Sequence, residues 1–353
     1  MVDGIFRIGI VGATTLAGKE LSDELQESLL AASTCVLLDD DEEAAGQMTA
    51  SGDEAVFIQR IDAESFERMD FVFFVGDQAG TAKHWQQARK AGASVVDMTY
   101  VLEAEKDVLV RSPLASAGMA GLGSSDRTAA PDLKTPAVVA AHPAAVMLAL
   151  VAGRLRSKLT LKSIAATMME PASEHGRAAM DELHQQTVNL LSFHNVPREQ
   201  YDAQVSFNLL PALGEAAKVQ LAMVGKRIRN HYEVLSAGVL PKLTLQIVQA
   251  PVFHGYAASV LLDFDQPMTV EQVEAALVGE PIDVVDRESD PPSNVSAAGQ
   301  QNVMVRVSAD TGKGASSTRF WLWLAADNLK LAAVNGIACA LELRKLRPLG
   351  KVQ

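Results

Sequence analysis

The fold of this chain depends on one stretch, Val138-Val139-Ala140-Ala141-His142-Pro143-Ala144-Ala145-Val146-Met147-Leu148-Ala149-Leu150. Its first residues predict a buried strand, Pro143 ends that strand, and the apolar residues that follow predict a helix. The N-terminus of a helix offers backbone N–H groups and the positive end of a dipole, which suits a thiolate or an oxyanion. Ala144 and Ala145 stand there and carry no reactive group. We therefore expect a junction between two domains with no nucleophile at the start of its helix.

The composition is that of a globular protein with room for two domains. The chain has 353 residues, 48% of them hydrophobic, and a net charge of −12. This charge argues against nucleic acid and anionic membranes as partners, because phosphate binding depends on Lys and Arg. Cys35 and Cys339 are the only cysteines and lie in apolar contexts, so we expect no disulfide and a cytoplasmic location. We also expect no signal peptide, because the N-terminus lacks a basic region followed by an apolar one, and no membrane span, since the longest apolar run is too short.

A strand, a glycine-containing turn and a helix begin the first domain. Apolar residues 5–11 predict the strand, and the spacing of leucines over residues 19–31 predicts the helix. Between them stands Gly12-Ala13-Thr14-Thr15-Leu16-Ala17-Gly18, the context of a dinucleotide-binding loop whose glycines let the backbone approach a pyrophosphate. Thr15 takes the middle position of that pattern, where its Cβ is expected to crowd the phosphates. The sequence is therefore compatible with a loop that still binds a nucleotide and with one that has lost this binding.

The end of the second strand favours NAD over NADP. Strand 34–38 is followed by Asp39-Asp40-Asp41-Glu42-Glu43. An acid here accepts hydrogen bonds from a ribose 2′-OH and repels a 2′-phosphate; a solvated acidic loop is the alternative. The histidines show no metal spacing, so we expect no metal. The predicted cofactor site consists of Gly12, Ala13, Thr14, Thr15, Leu16, Gly18, Asp39 and Gly76.

Strands and helices alternate in the first half, which predicts an α/β fold with a Rossmann-like, doubly wound parallel sheet. Strands 71–75 and 94–97 flank a helix at 81–91, and the Ser- and Gly-rich residues 112–134 are expected to form a flexible loop. The second half mixes strands at 163–168, 243–250, 257–264 and 319–325 with helices at 173–191, 218–229, 270–277 and 327–346. We predict a nucleotide-binding domain of residues 1–137 plus 327–353 and an α+β domain of residues 138–326.

The order of these pieces resembles the aspartate-semialdehyde dehydrogenases over nearly the whole chain. N-acetyl-glutamyl-phosphate reductases share the architecture but match less well. The resemblance implies a Rossmann domain, a dimerisation and substrate domain, a homodimer, and NADPH-dependent reduction of aspartyl phosphate in amino-acid biosynthesis. It also adds Asn328 to the predicted cofactor site. Five landmarks carry it: Gly12-Ala13-Thr14…Gly18, His142-Pro143-Ala144-Ala145 for Asn-Pro-Asn-Cys, Ser206-Phe207-Asn208…Pro211, Pro251-Val252-Phe253-His254-Gly255-Tyr256, and Asp327-Asn328-Leu329-Lys330.

The residues at the family's reactive positions do not fit that chemistry. In the family, a Cys thiolate attacks the acyl phosphate, a His acts as acid and base, and two Arg hold the anionic groups. The resemblance places Ala145 at the Cys position and Tyr256 at the His position. It places Gln249 at the substrate Arg, Glu170 at a catalytic-loop Gln, and Leu102 near the second Arg. A Tyr, with an ordinary pKa of about 10, is a poor base at neutral pH.

Other residues offer no simple replacement. On a strand, His254 would face the same way as Tyr256 but would lie about 6.5–7 Å from it. His142 is expected to be a loop or capping histidine. Ser173-Glu174-His175 resembles a hydrolytic set by composition only, since adjacent residues on one segment rarely meet productively. Cys35 and Cys339 are expected to be buried structural residues.

The sequence is therefore identified as a member of the aspartate-semialdehyde dehydrogenase family, similar to its Usg-type paralogues, which lack the catalytic Cys. The main prediction is a catalytically impaired pseudoenzyme, a dimeric module that binds a nucleotide or an unknown protein partner. One alternative is an NAD(P)-dependent oxidoreductase that acts on a different substrate without a covalent intermediate. The other is true semialdehyde dehydrogenase activity, with a reactive residue of the family standing at a different position from the one that the resemblance assigns to it.

Overall fold

The chain divides into two compact units. The computed structural model describes residues 6–31, 33–41, 46–51, 54–119, 122, 130–310 and 316–346. Unit 1 comprises Met1–Pro113, Ala129–Ala141 and Ala332–Gln353, and unit 2 comprises Leu114–Thr128 and His142–Leu331. The domain limits drawn from the sequence, at residues 137 and 326, stay predictions.

Unit 1 is built on a seven-stranded parallel sheet of order β5-β2-β1-β6-β7-β9-β8. This confirms the predicted doubly wound α/β sheet. A short 3-10 helix, Val101–Ala104, follows β7, and β3 pairs with β4 in a separate hairpin. The elements up to β9 are β1 (Arg7–Val11), α1 (Leu16–Glu27), β2 (Thr34–Asp39), β3 (Met48–Ser51), β4 (Glu54–Phe57), β5 (Gln59–Arg60), β6 (Phe71–Phe74), α2 (Gln78–Lys90), β7 (Ser94–Asp97), β8 (Leu109–Arg111), α3 (Pro113–Gly118) and β9 (Val138–Ala140).

The central strands of the unit 1 sheet are buried on both faces, which explains their uninterrupted apolar sequences. On β6, Phe71 and Phe73 pack into one core with Ile8. Val72 and Phe74 point to the other face and pack with Leu38. A strand between two helical layers has no solvent side, so its sequence shows no polar alternation.

The flexible loop predicted over residues 112–134 is wrong in part. Residues Pro113–Gly118 form the short helix α3. Pro113 begins it because a Pro at the first helical position loses no hydrogen bond. Much of the rest of the predicted loop lies outside the described residues.

Unit 2 contains a six-stranded mixed sheet of order β11-β10-β12-β15-β14-β13. The β10–β11 and β13–β14 pairs are parallel, and the three central pairs are antiparallel. A 3-10 helix, Ala172–His175, follows β10. The remaining elements are α4 (Pro143–Arg156), β10 (Leu161–Glu170), α5 (Arg177–Leu191), α6 (Leu221–Ser236), β11 (Leu243–Gln249), β12 (Tyr256–Met268), α7 (Val270–Leu277), β13 (Ile282–Val284), α8 (Asn294–Ala297), β14 (Val303–Ala309), β15 (Ser317–Ala326) and α9 (Asn328–Arg344), which runs on into unit 1.

The two faces of this mixed sheet differ in burial. One face is largely buried, and it carries Val260 of β12 and Leu322 of β15. On the other face, which we call the open face, Trp321 and Trp323 of β15 remain 39% and 37% exposed. The alternation follows the two-residue period of a strand.

Helix α4 is buried on nearly every side. Twelve of its fourteen residues are buried, so the long apolar run seen in the sequence is a central helix of unit 2. It packs against α6, α7 and β10. None of the helices in the described part of the chain combines the length and the apolar character needed to cross a membrane.

The single helix predicted over residues 173–191 is wrong at its start. Residues Ala172–His175 form one 3-10 turn, and α5 begins only at Arg177. Gly176 separates the two with a φ of +81°, in the left-handed region that glycine adopts without strain. The turn holds Ser173, Glu174 and His175 at the end of β10 instead of along a helix.

Candidate functional site

The predicted nucleotide loop in unit 1 is closely packed around two glycines. Gly12 has a φ of +90°, and a Cβ at this position would lie 2.2 Å from the Cα of Gly76. A Cβ on Gly18 would lie 2.3 Å from the carbonyl oxygen of Gly12. No side chain fits at Gly12 or Gly18, so the strand, the turn and helix α1 approach as a dinucleotide fold requires.

Thr15 turns its hydroxyl into the loop. The hydroxyl donates to the carbonyl oxygen of Gly12 at 2.8 Å and accepts from the N–H of Gly18 at 3.0 Å. Thr15 is thus the N-cap of α1, which begins at Leu16. Ala13 is buried behind the turn. The expectation that Thr15 crowds a phosphate stays untested, but its polar atom serves the loop itself.

Asp39 lies beside the loop, at the end of β2. Its Oδ2 accepts from the Thr14 hydroxyl at 2.8 Å. The next acid, Asp40, forms an ion pair with Lys83 at 2.7 Å and lies 3.3 Å from His84, and these contacts lower the pKa of Asp40, with the Lys83 hydrogen bond foremost. The acidic loop is therefore partly neutralised, and Asp39 is the acid that the loop orients.

The N-terminus of α4 in unit 2 has no reactive side chain. His142 caps it, since its Nδ1 accepts from the N–H of Ala144 at 3.3 Å. The N–H of His142 in turn donates to Nδ1 of His231 at 2.9 Å. Ala144 and Ala145 are completely buried. His142 caps the helix, as one interpretation of the sequence held, but it also has a charged partner.

That partner is Glu174. One carboxylate oxygen lies 3.1 Å from Nε2 of His142. The other accepts from the hydroxyl of Tyr256 at 2.5 Å and from Nδ2 of Asn328 at 3.2 Å. Burial alone would raise the pKa of Glu174, but the facing His142 and the Tyr256 hydroxyl bring it down to about 2. We call His142, Tyr256 and Asn328 the Glu174 cradle.

Ser173, the preceding residue, faces a different set of partners. Its Oγ donates to Oδ1 of Asn328 at 3.1 Å and lies 3.1 Å from Nδ1 of His254. Nε2 of His254 lies 2.8 Å from Asp327, which caps α9 through the N–H of Lys330. The contacts have the order of a Ser–His–Asp triad. Ser173 is only 2% exposed, and its hydroxyl donates to Asn328. These contacts therefore stabilise the loop.

His254 lies outside strand β12, so the strand geometry considered for His254 and Tyr256 does not apply to the pair. Strand β12 begins at Tyr256, and Gly255 before it has a φ of +83°. The N–H of Gly255 donates to Oδ1 of Asn328 at 3.0 Å. His254 and Tyr256 therefore reach Asn328 from two sides, through Ser173 and Glu174. Asn328, predicted as a cofactor contact, has both ends of its amide engaged within unit 2.

A second buried cluster joins Glu170, His175 and Gln249. His175 Nε2 lies 3.1 Å from Glu170, an ion-pair distance without hydrogen-bond alignment. Burial would lower the pKa of His175, but Glu170 and then Glu174 raise it overall. The Gln249 amide donates to the carbonyl oxygen of Glu170 at 3.0 Å. Two of the positions where the family implies anion-binding or catalytic groups thus hold a buried ion pair and an amide.

The remaining predicted positions carry no binding group. Leu102 is buried, and its N–H donates to Asp97 at 2.9 Å. Both thiols of the chain belong to unit 1. Burial raises the pKa of Cys35 to about 11 and also raises that of Cys339. In the described part of the chain, no three His, Cys, Asp or Glu side chains converge as metal ligands; that no metal binds stays a prediction.

Two family descriptions cover most of the chain. Residues 7–119 match the semialdehyde dehydrogenase NAD binding domain. Residues 153–331 match the semialdehyde dehydrogenase dimerisation domain. The chain belongs to the semialdehyde dehydrogenase family. This confirms the predicted family, and with it an NAD(P)-binding type of first domain.

Individual members of the semialdehyde dehydrogenase family match over nearly their whole length. A USG-1 protein homolog of Pseudomonas aeruginosa is 30% identical, over 94% of this chain and 95% of its own. A USG-1 protein homolog of Azotobacter vinelandii is 28% identical, over 96% and 97%. The structure of a probable aspartate-semialdehyde dehydrogenase from Pseudomonas aeruginosa superposes with a TM-score of 0.83 at 26% identity, covering 97% of this chain and 99% of its own.

The sequence did not reveal the contacts that join Glu174 to the residues of its cradle. Glu174 and Tyr256 are 82 residues apart, and Glu174 and Asn328 are 154 apart. The only available signal was the polar run Ser173-Glu174-His175 at the end of a strand. Its composition indicated a polar site but not the partner of each side chain.

Proposed function

We propose that this semialdehyde dehydrogenase family member has lost the family's covalent chemistry and acts as a dimeric module that binds a nucleotide or a protein partner. One observation carries the proposal. At the start of α4, residue 145 is a buried alanine, and the capping His142 is paired with the carboxylate of Glu174. The position that the resemblance assigns to the nucleophile thus has no thiol, and the residue that caps its helix is already engaged by a carboxylate.

The surrounding residues support the loss of chemistry. The Tyr256 hydroxyl, at the position of the family's acid and base, is committed to Glu174. Glu170 and Gln249 stand where the resemblance implies a neutral amide and an arginine. Glu170 is paired with His175 and Gln249 is neutral, so neither position supplies the positive charge that an anionic acyl phosphate requires. The cytoplasmic location and any role in amino-acid biosynthesis stay predictions.

The proposal is tested by assaying the purified protein with aspartate semialdehyde, phosphate and NADP, beside a relative known to be active under the same conditions. We expect no turnover from this chain. A measurable rate that disappears in Tyr256→Phe but persists in Tyr232→Phe would contradict the proposal, because Tyr232 is a buried tyrosine outside the cradle whose hydroxyl donates to Pro241.

For the nucleotide, we propose that NAD binds more tightly than NADP. The support is the position of Asp39, which Thr14 orients beside the glycine loop. Isothermal titration calorimetry with NAD and NADP measures both affinities, and Asp39→Asn is expected to reduce the difference between them. Asp70→Asn serves as the control, because Asp70 accepts from Arg7 at the other end of β1. Tighter binding of NADP to the unmodified protein would refute the assignment.

For the dimer, we propose that two copies join through the open face of the unit 2 sheet. In a single chain this face leaves two tryptophans more than a third exposed, while the opposite face is buried. Tryptophans are enriched among the residues that dominate interface energies. The match of unit 2 to a dimerisation domain supports the same assignment.

A further inference from the structure

The Glu174 cradle has the features of a ligand site that the chain itself occupies. We infer that His142, Tyr256 and Asn328 form an anion site for a small carboxylate, and that the side chain of Glu174 fills it as an internal ligand. The inference deepens the proposed function, since it explains how the old site is closed. Its test measures ligand binding, whereas the test of the proposed function measures turnover, so either of the two proposals can fail without the other.

Three separate segments bring donors to one carboxylate. His142 precedes α4, Tyr256 begins β12, and Asn328 begins α9. Their donor atoms lie 3.1, 2.5 and 3.2 Å from the oxygens of Glu174. Hydrogen bonds to an ionised acceptor are stronger than neutral ones, and convergence of this kind is how proteins hold carboxylate ligands.

The donors are oriented by contacts that do not involve Glu174. Nδ1 of His142 accepts from the N–H of Ala144, which assigns the ring proton to Nε2, the atom that faces the carboxylate. Oδ1 of Asn328 accepts from Ser173 and from Gly255, which points its Nδ2 at the carboxylate. The cradle is therefore expected to persist when the Glu174 carboxylate is removed.

The cradle stabilises the negative charge of the Glu174 carboxylate, which burial alone would disfavour. Tyr256 and Asn328 are completely buried, while the side chain of Glu174 is 11% exposed. A buried carboxylate without partners would take up a proton, yet the pKa of Glu174 is lowered to about 2. The site thus favours the anion, and its edge at Glu174 reaches solvent.

Removing the side chain of Glu174 defines the size of the ligand. Glu174→Ala deletes the Cγ and the carboxylate group, which together are the heavy atoms of acetate. The cavity left behind keeps the three donors and opens at the exposed edge. We expect acetate to occupy it in the variant, and the unmodified protein to be closed to acetate because Glu174 is already in place.

The experiment follows thermal unfolding of Glu174→Ala and of the unmodified protein in rising acetate, with sodium chloride and the neutral isostere acetamide at matched concentrations. For the variant, we expect a saturable rise in Tm with acetate and none with acetamide beyond that of chloride. For the unmodified protein, acetate and chloride should act alike. Calorimetry of acetate binding to the folded variant then gives the affinity.

A matched pair of double variants locates the site. Glu174→Ala with Tyr256→Phe removes one donor, and we expect acetate to bind at least about tenfold more weakly, as for the loss of a hydrogen bond to a charged group. Glu174→Ala with Tyr232→Phe alters a buried tyrosine that donates to Pro241, outside the cradle. We expect that change to leave the acetate affinity of the single variant unaltered.

Three results would overturn the inference. One is a folded Glu174→Ala variant with no saturable response to acetate, and another is an equal response to acetamide. The third is an equal loss of affinity in the two double variants. Should Glu174→Ala fail to fold alone, it is refolded in each of the three solutes. Recovery in acetate alone supports the internal ligand, and failure in all three, or recovery in acetamide as well, refutes it.

Discussion

Consecutive residues of one turn take up unrelated roles in unit 2. A 3-10 helix has three residues per turn, so neighbouring side chains point in directions about 120° apart. Ser173 accordingly meets Asn328 and His254, Glu174 meets its cradle, and His175 faces Glu170. Because the three residues are adjacent on one 3-10 turn, their side chains point in different directions and do not form the hydrolytic set that their composition resembles.

Glu174 is expected to make the stability of the folded protein fall at acidic pH. Its folded pKa of about 2 lies below its ordinary value of 4.5, so its contribution is present above pH 4.5 and is lost as the pH falls toward 2. Linkage puts this contribution on the order of 3 kcal/mol. Urea unfolding of the unmodified protein and of Glu174→Gln is measured between pH 6 and about pH 2.5. We expect the unmodified protein to lose its advantage on acidification, and parallel curves would contradict this.

Ala145→Cys alone is expected not to restore semialdehyde dehydrogenase activity. The new thiol would still lack the family's base, because Tyr256 stands at that position, and the His142 that caps the same helix is already paired with the carboxylate of Glu174. Turnover of aspartate semialdehyde is the measurement, with Ala144→Cys as the neighbouring control. A rate gained by Ala145→Cys and not by Ala144→Cys would show that the other departures from the family matter little.

Among the elements, α1 depends on its cap. The Thr15 hydroxyl accepts from the N–H of Gly18 and donates to the carbonyl oxygen of Gly12. Thr15→Ala is expected to lower the free energy of unfolding by about 1 kcal/mol, the usual cost of losing an N-cap. Thr15→Ser keeps the hydroxyl and should retain most of the stability. Chemical denaturation compares the three proteins, and equal loss in both variants would exclude the cap as the cause.

Elements with a strong internal pattern could be predicted from the sequence. The strand Ser94–Asp97 and the helix Val270–Leu277 have the same limits as the predicted strand 94–97 and the predicted helix 270–277. The predictions failed where a single glycine sets the path of the chain. Gly176, with a φ of +81°, ends a 3-10 turn before α5. Composition does not reveal which glycine adopts a positive φ, because that choice depends on contacts made elsewhere in the fold.

At the scale of the whole molecule, the family and the two-part organisation could be predicted because they rest on landmarks spread along the chain. The candidate site could be predicted only as a set of positions, such as Ala145 and Tyr256. What surrounds each position comes from contacts between residues far apart in sequence, as between His142 and His231. No local pattern encodes such a pair.

Disrupting the open face is expected to separate the proposed dimer. Trp323→Arg together with Trp321→Glu places charges on a face where apolar contact between two copies is expected. Trp323 lies opposite Arg306 in the β14–β15 register. Light scattering after size-exclusion chromatography should then report the mass of a single chain. Met223→Glu changes an exposed apolar residue on α6 and is expected to leave the dimer intact. A mass unaltered by the tryptophan changes, in a folded protein, would exclude this face.

The placement of the three tryptophans gives each unit its own optical reporter. Trp85 is buried in the core of unit 1, whereas Trp321 and Trp323 lie on the open face of unit 2. A buried indole emits at shorter wavelength than one in contact with water. Denaturation followed by fluorescence in single-tryptophan variants would thus resolve whether the two units unfold together or in turn, without any added label.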